Sequence, residues 1–116
     1  HLALSFRGSP ACHLVASEPR GGHRPSVDVL FSSALPMADR AVAVLLTGMG
    51  RDGAEGMAAL RRGGAKCLAQ DAESCVVFGM PRVALETGAA EAAVSLRDMA
   101  PTLLAHCARG PAAGRS

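Results

Sequence analysis

The sequence contains no tryptophan and no tyrosine, and its only aromatic residues are Phe6, Phe31 and Phe78. Three phenylalanines do not make the stacking platform on which single-stranded nucleic acid is held. Lysine occurs once, at Lys66, and the arginines are scattered apart from Arg61-Arg62. With a net charge of only +2 there is no basic stripe to meet phosphates. The longest apolar run is Ala41 to Leu46, far short of the ~20 residues of a membrane-spanning helix. Four cysteines, Cys12, Cys67, Cys75 and Cys107, form no Cys-x-x-Cys pair and stand at no zinc-finger spacing from a histidine. The plain reading is reduced thiols in a cytosolic protein, with no metal and no cofactor.

The remaining composition is that of a folded domain, 49% hydrophobic and 19% charged over 116 residues. His1 to Phe6 and Ala11 to Ala16 read as strands about the Arg7-Gly8-Ser9-Pro10 turn, a β-hairpin. After a Pro- and Gly-containing loop, Ser26 is placed to cap a helix whose first turn holds Asp28. Val27, Leu30, Phe31, Ala34 and Leu35 line its apolar face, and Pro36 ends or bends it. Ala41–Leu46 fits a central parallel strand covered on both faces. Next come a glycine-rich loop at 47–53, a helix over Ala54–Arg62 and a strand over Lys66–Gln70. The chain then runs through a loop to Gly79, a helix from Met80-Pro81 to Gly88, a short strand at Ala92–Val94, a helix from Leu96 to Ala108, and a disordered tail over 109–116. Alternating strands and helices predict a doubly wound α/β fold with a mostly parallel sheet and a β-hairpin near the N-terminus. In such sheets function collects beyond the strands' carboxyl ends, here at 47–53 and 71–79.

Gly48-x-Gly50-x-x-Gly53 matches the dinucleotide fingerprint, and Asp71 stands where a ribose-binding acid is sought. Charge opposes this reading, because Asp52 would repel the phosphates that the loop should hold. Two other readings of Asp52 remain: a helix-capping residue among turn glycines, or the acid that orients a histidine in a Ser-His-Asp triad.

Three stretches carry a resemblance. His23-Arg24-Pro25-Ser26-Val27-Asp28-Val29-Leu30-Phe31, Leu46 through Met57 with its Thr-Gly-Met-Gly-Arg-Asp-Gly core, and Ala69-Gln70-Asp71-Ala72-Glu73-Ser74-Cys75-Val76-Val77-Phe78-Gly79-Met80-Pro81 resemble the chemotaxis protein-glutamate methylesterases of the CheB type. The resemblance implies a serine-hydrolase mechanism that removes γ-glutamyl methyl esters from methyl-accepting chemoreceptors, and in many members deamidates receptor glutamines. It implies that Asp52 is the triad aspartate and that the Met49 amide is an oxyanion donor. Thr47, Gly48, Gly50 and His23 fall in the active-site neighbourhood.

The family's Gly-Ala-Ser-Thr-Gly-Gly-like nucleophile loop and its Gln-His-Met-Pro-like stretch have no counterpart in these residues. Residues 1–108 are therefore expected to be the C-terminal portion of a methylesterase domain, inactive alone. Their partners would be chemoreceptors, a receiver domain and the missing N-terminal part of the same domain, with no nucleic acid and no membrane insertion. The competing expectations are a non-catalytic remnant or receptor-binding module, and a nucleotide-binding domain through Gly48, Gly50 and Gly53. Among local substitutes for the missing groups, His23 is the best base; capping explains Ser26, and Cys75 reads as a structural thiol. His1, His13 and His106 read as surface or strand residues. Arg82 either covers its helix or meets an acidic partner. A sheet short of its first strands would leave an apolar edge, so the isolated chain is expected to aggregate.

Overall fold

A computed structural model describes residues 1–108; the tail expected over 109–116 lies outside them. Strands β1 (Leu2–Ser5) and β2 (Ala11–Leu14) pair antiparallel, with Leu2 opposite Leu14 and Ser5 opposite Ala11. This hairpin packs on helix α1 (Val27–Ser33), where Leu4 N donates to Ser33 Oγ at 2.8 Å. Two short 3-10 turns follow within Leu35–Arg40, joined across a kink at Met37, and Pro36 sits in the first. The sequence pattern missed this element. Proline's fixed φ suits the start of a new helical turn, so the chain reorients there instead of ending. Leu35 consequently leaves the apolar face expected of α1 and is exposed, while Ala34 stays buried.

The second sheet is parallel, in the order β3 (Val42–Leu45), β4 (Lys66–Gln70), β5 (Ala92–Val94). Helix α2 (Ala54–Arg62) links β3 to β4, and α3 (Met80–Glu86) links β4 to β5. Side chains alternate across a strand. Ala43, Leu45, Cys67 and Ala69 accordingly share one face, in a core with Met57 and Leu60 of α2 and Ala84 of α3. Leu68 and Gln70 turn to the other face, and helix α4 (Leu96–Cys107) lies across all three strands, burying Met99. Helices thus cover both faces of a parallel sheet, as the alternation of elements predicts. On α2 Met57 and Leu60 are fully buried, and Arg61 is exposed. Among the described residues no helix is long and apolar enough to cross a membrane.

β3 is not central. Among the described residues it is hydrogen-bonded on one side only, to β4. The apolar run fits a central strand covered on both faces, and of the three strands among the described residues β4 is the middle one. The open side of β3 borders a groove of about 380 Å³ lined by Leu2, Leu4, Leu30, Phe31, Val42 and Val44. An apolar edge of this kind templates pairing with another chain. Sedimentation velocity of the isolated chain is expected to show self-association that grows with concentration and weakens in Val42→Lys; a monomer at every concentration would contradict this.

Candidate active site

The loop that follows β3 begins at Leu46 and reaches α2 through Asp52 and Gly53. Gly53 has φ +98, and a Cβ there would meet Leu45 Cδ2 and Val27 Cγ1 at 2.9 Å. Only glycine combines that backbone with that approach. The tight turn directs Asp52 away from its own helix and toward α1. Asp52 Oδ2 accepts from Val27 N at 2.7 Å, and Oδ1 accepts from Asp28 N at 3.1 Å and from Ser26 Oγ at 3.0 Å. Ser26 caps α1 as its sequence predicts, accepting from Val29 N at 3.4 Å. The amides of Val27, Asp28 and Val29, orphaned at the start of any helix, are thereby satisfied by two side chains.

The capping and triad readings of Asp52 therefore do not exclude each other. Asp52 is a cap, but of a helix whose nearest contact, Val27, lies 25 residues away in sequence. Three of the roughly four lone-pair sites of an ionised carboxylate are filled, and the remaining one is on Oδ2. Asp52 lines a cleft of about 340 Å³ with His23, Arg20, Arg51 and Glu55. Partial burial alone would raise the Asp52 carboxyl. The Val27 and Asp28 amides, the Ser26 hydroxyl and the nearby His23 outweigh it and hold the group below an aspartate's ordinary 3.8.

Met49, Thr47, Gly48 and Gly50 do not line that cleft; they sit on the crest of the loop, clamped to the segment after β4. Gln70, fully buried at the end of β4, accepts from Thr47 N through Oε1 at 2.8 Å. Its Nε2 donates to Ser74 O at 2.7 Å. Thr47 Oγ1 accepts from Val77 N at 2.8 Å, Gly48 N donates to Val77 O at 3.0 Å, and Gly48 O accepts from Gly79 N and Met80 N. Among the described residues no backbone acceptor takes the Met49 amide, and the Met49 side chain is exposed. Composition and periodicity do not reveal Gln70 as the anchor of this loop. The only signal was a polar residue ending an apolar strand.

His1 is a correction. It reads as a surface or strand residue, yet it is buried, its Nδ1 accepting from Ser26 N at 3.1 Å and its Nε2 lying 2.8 Å from Glu18 O. The reason is tertiary: β1 runs beside α1 and carries His1 to the capped end of that helix. His13 is exposed and His106 half-buried. Cys75 is half-buried with Sγ 3.7 Å from Gln70 O; desolvation and the Asp71 charge raise its thiol against a lowering hydrogen bond from Thr47. That is the environment of an inert thiol. Burial first, then the Glu91 charge, push Cys67 up to about 11 against Arg61. Arg82 lies 3.6 Å from Glu86 on its own exposed helix face.

The dinucleotide reading loses its supports. Gly53 is explained by packing, Asp71 accepts from Ser74 N and Ser74 Oγ, and the first-turn amide of Gly56 in α2 donates to Asp28 at 2.7 Å. Two carboxylates, Asp28 and Asp52, stand where a pyrophosphate would need bare amides.

A carboxylate whose folded value is depressed contributes stability above its unfolded value, and loses it as pH falls through the folded value. Asp52→Ala is therefore expected to cost about 1–2 kcal/mol at neutral pH, the range of a lost helix cap. The difference from the unaltered chain should shrink as pH falls below the ordinary 3.8. Urea denaturation at pH 7 and below pH 3 checks both; a pH-independent difference would contradict it.

Residues 1–103 match the family model described as CheB methylesterase. The chain is 55% identical over 105 residues to protein-glutamate methylesterase/protein-glutamine glutaminase 1 of Caulobacter vibrioides, covering 90% of this chain and 30% of that protein. It is 56% identical over 106 residues to the protein-glutamate methylesterase/protein-glutamine glutaminase of Bordetella pertussis, with the same coverage. The crystal structure of the Thermotoga maritima CheB methylesterase catalytic domain superposes with a TM-score of 0.84 at 33% identity, over 89% of this chain and 56% of that one. The chain thus spans less than a third of these curated relatives and about half of that catalytic domain. With the fold and three sequence stretches in agreement, the chain belongs to the CheB methylesterase family.

Proposed function

We propose that this chain supplies the orienting acid and one wall of the active site of a protein-glutamate methylesterase that acts in bacterial chemotaxis. Asp52 carries the proposal. Its carboxylate is held ionised by three donors, keeps one acceptor position on Oδ2, and lines a polar cleft beyond the carboxyl ends of a parallel sheet. An acid so fixed can accept the N–H of a histidine, set its tautomer and stabilise the imidazolium without becoming protonated.

The serine and histidine come from residues outside 1–116. The serine hydroxyl adds to the γ-carbonyl carbon of a glutamyl methyl ester, and the histidine takes its proton. Charge builds on the carbonyl oxygen, where backbone amides are the apt donors. The Met49 amide, without a backbone partner on a loop held by Gln70, suits this role. The histidine returns the proton to the leaving methoxide, giving methanol, and water then releases the glutamate carboxylate. A glutamine side chain would pass through the same steps and release ammonia. His23 is exposed and lines the cleft, which suits substrate contact or electrostatic support of Asp52 better than the role of base. The substrates are chemoreceptor glutamates, the partners include a receiver domain, and the setting is the cytoplasm.

Methanol release from methylated receptor tests this. The 116-residue chain alone is expected to release none above background. In a protein that carries these residues together with the serine and histidine, Asp52→Asn should lower kcat on the order of 10⁴-fold. Turnover by the 116 residues at the rate of an intact domain, or unimpaired Asp52→Asn, would overturn the proposal.

A further inference from the structure

Helices α1 and α2 exchange their capping acids. Asp52 precedes α2 but bonds the Val27 and Asp28 amides of α1. Asp28 lies in the first turn of α1, and its Oδ1 accepts from Gly56 N in the first turn of α2 at 2.7 Å. Each acid thus serves the helix it does not belong to. The N-cap of α2 is Gly53, which has no side chain to cap with, so the Gly56 amide depends on Asp28.

The exchange needs near-backbone contact between the helices. A Cβ on Gly56 would meet Phe31 Cβ at 2.8 Å and Asp28 Oδ1 at 3.0 Å. Asp28 is buried at 8% exposure, and a buried carboxylate without its partner is costly. The contact is therefore a fixed one. One anchor between α1 and the Asp52 loop would leave a hinge. Two anchors that meet at Asp28, Asp52 to the α1 amides and Asp28 to the α2 amide, fix both the distance and the rotation between the two helix ends.

We infer that Asp28 is a positioning residue for Asp52, locking α1 against α2 through the Gly56 amide so that the Asp52 carboxylate keeps its bonds to the Val27 and Asp28 amides and its open acceptor position on Oδ2. Its benefit to catalysis rests on the role proposed for Asp52; the geometric lock does not. Asp28 also lines the cleft beside Asp52, but its side chain is bound to the Gly56 amide, so it acts through the placement of Asp52.

Hydrogen exchange resolved to single amides by mass spectrometry, in a protein that carries these residues within a complete catalytic domain, tests the lock. In Asp28→Ala the Val27 amide is expected to exchange about tenfold faster than in Leu60→Ala, a core variant read as the control for general destabilisation. Asp28→Asn keeps an oxygen for Gly56 N and should restore slow exchange. If Asp28→Ala does not fold, Asp28→Ser, too short to reach Gly56, is read the same way. Val27 exchange no faster than in the Leu60→Ala control, or Asp28→Asn as fast as the truncations, would overturn the inference. Because exchange needs no chemistry, failure of the methylesterase reading would appear only in methanol release.

Discussion

The carboxylate of Asp52 at the N-terminus of α1 is the interaction on which the site depends. It joins a loop at the carboxyl end of β3 to a helix that begins on the far side of the hairpin, through bonds of 2.7 to 3.1 Å. The positive end of α1 and three donors keep the group ionised despite partial burial. The role proposed for Asp52, orienting a histidine, needs a fixed direction and an ionised group at neutral pH, and one set of bonds favours both.

The rest of the architecture serves that placement. Gly53 lets the chain turn so that Asp52 leaves its own helix, and Gly56 lets α1 come close enough to be capped. Gln70 ties the crest of the same loop to the segment after β4, with Thr47 and Val77 completing the clamp. The loop is therefore braced from two sides, by a charged cap toward α1 and by a neutral amide toward the sheet. His1 adds a further bond to the same helix end by accepting from Ser26 N. A rigid acid on a braced loop is suited to electrostatic preorganisation, in which dipoles are paid for during folding and not during reaction.

Much of the fold was legible because it rests on local rules. The helical spacing from Val27 through Phe31, the apolar Ala41–Leu46 run and the Met80-Pro81 start each announce an element, and the structure places them there. The 3-10 turn at Leu35–Arg40 was not legible, because a proline after a helix signals both a stop and a new start. The order of the sheet was not legible either. The apolar run marks Ala41–Leu46 as central, but only pairing shows that β4 lies between β3 and β5 among the described residues. At the site, Asp52 stood out by its glycine frame and by its resemblance to the family. Asp28 looked like an ordinary first-turn acid, since its partner Gly56 is 28 residues away and carries no side chain to signal the contact.

The sequence by itself determined which elements form, that the thiols lack metal spacing, and that a carboxylate stands between glycines after a strand. These follow from hydrophobic period, turn chemistry and residue type, all of which act over a few neighbours. The tertiary structure alone decided what that carboxylate does. Whether Asp52 caps its own helix or another one depends on how α1 lies against α2, and that is set by packing around Phe31, Val27 and Gly56. The same packing buries His1 and Asp28 and leaves Met49 at the crest of the loop. Contacts between residues 24 to 28 apart have no local pattern, so only the folded chain brings them together.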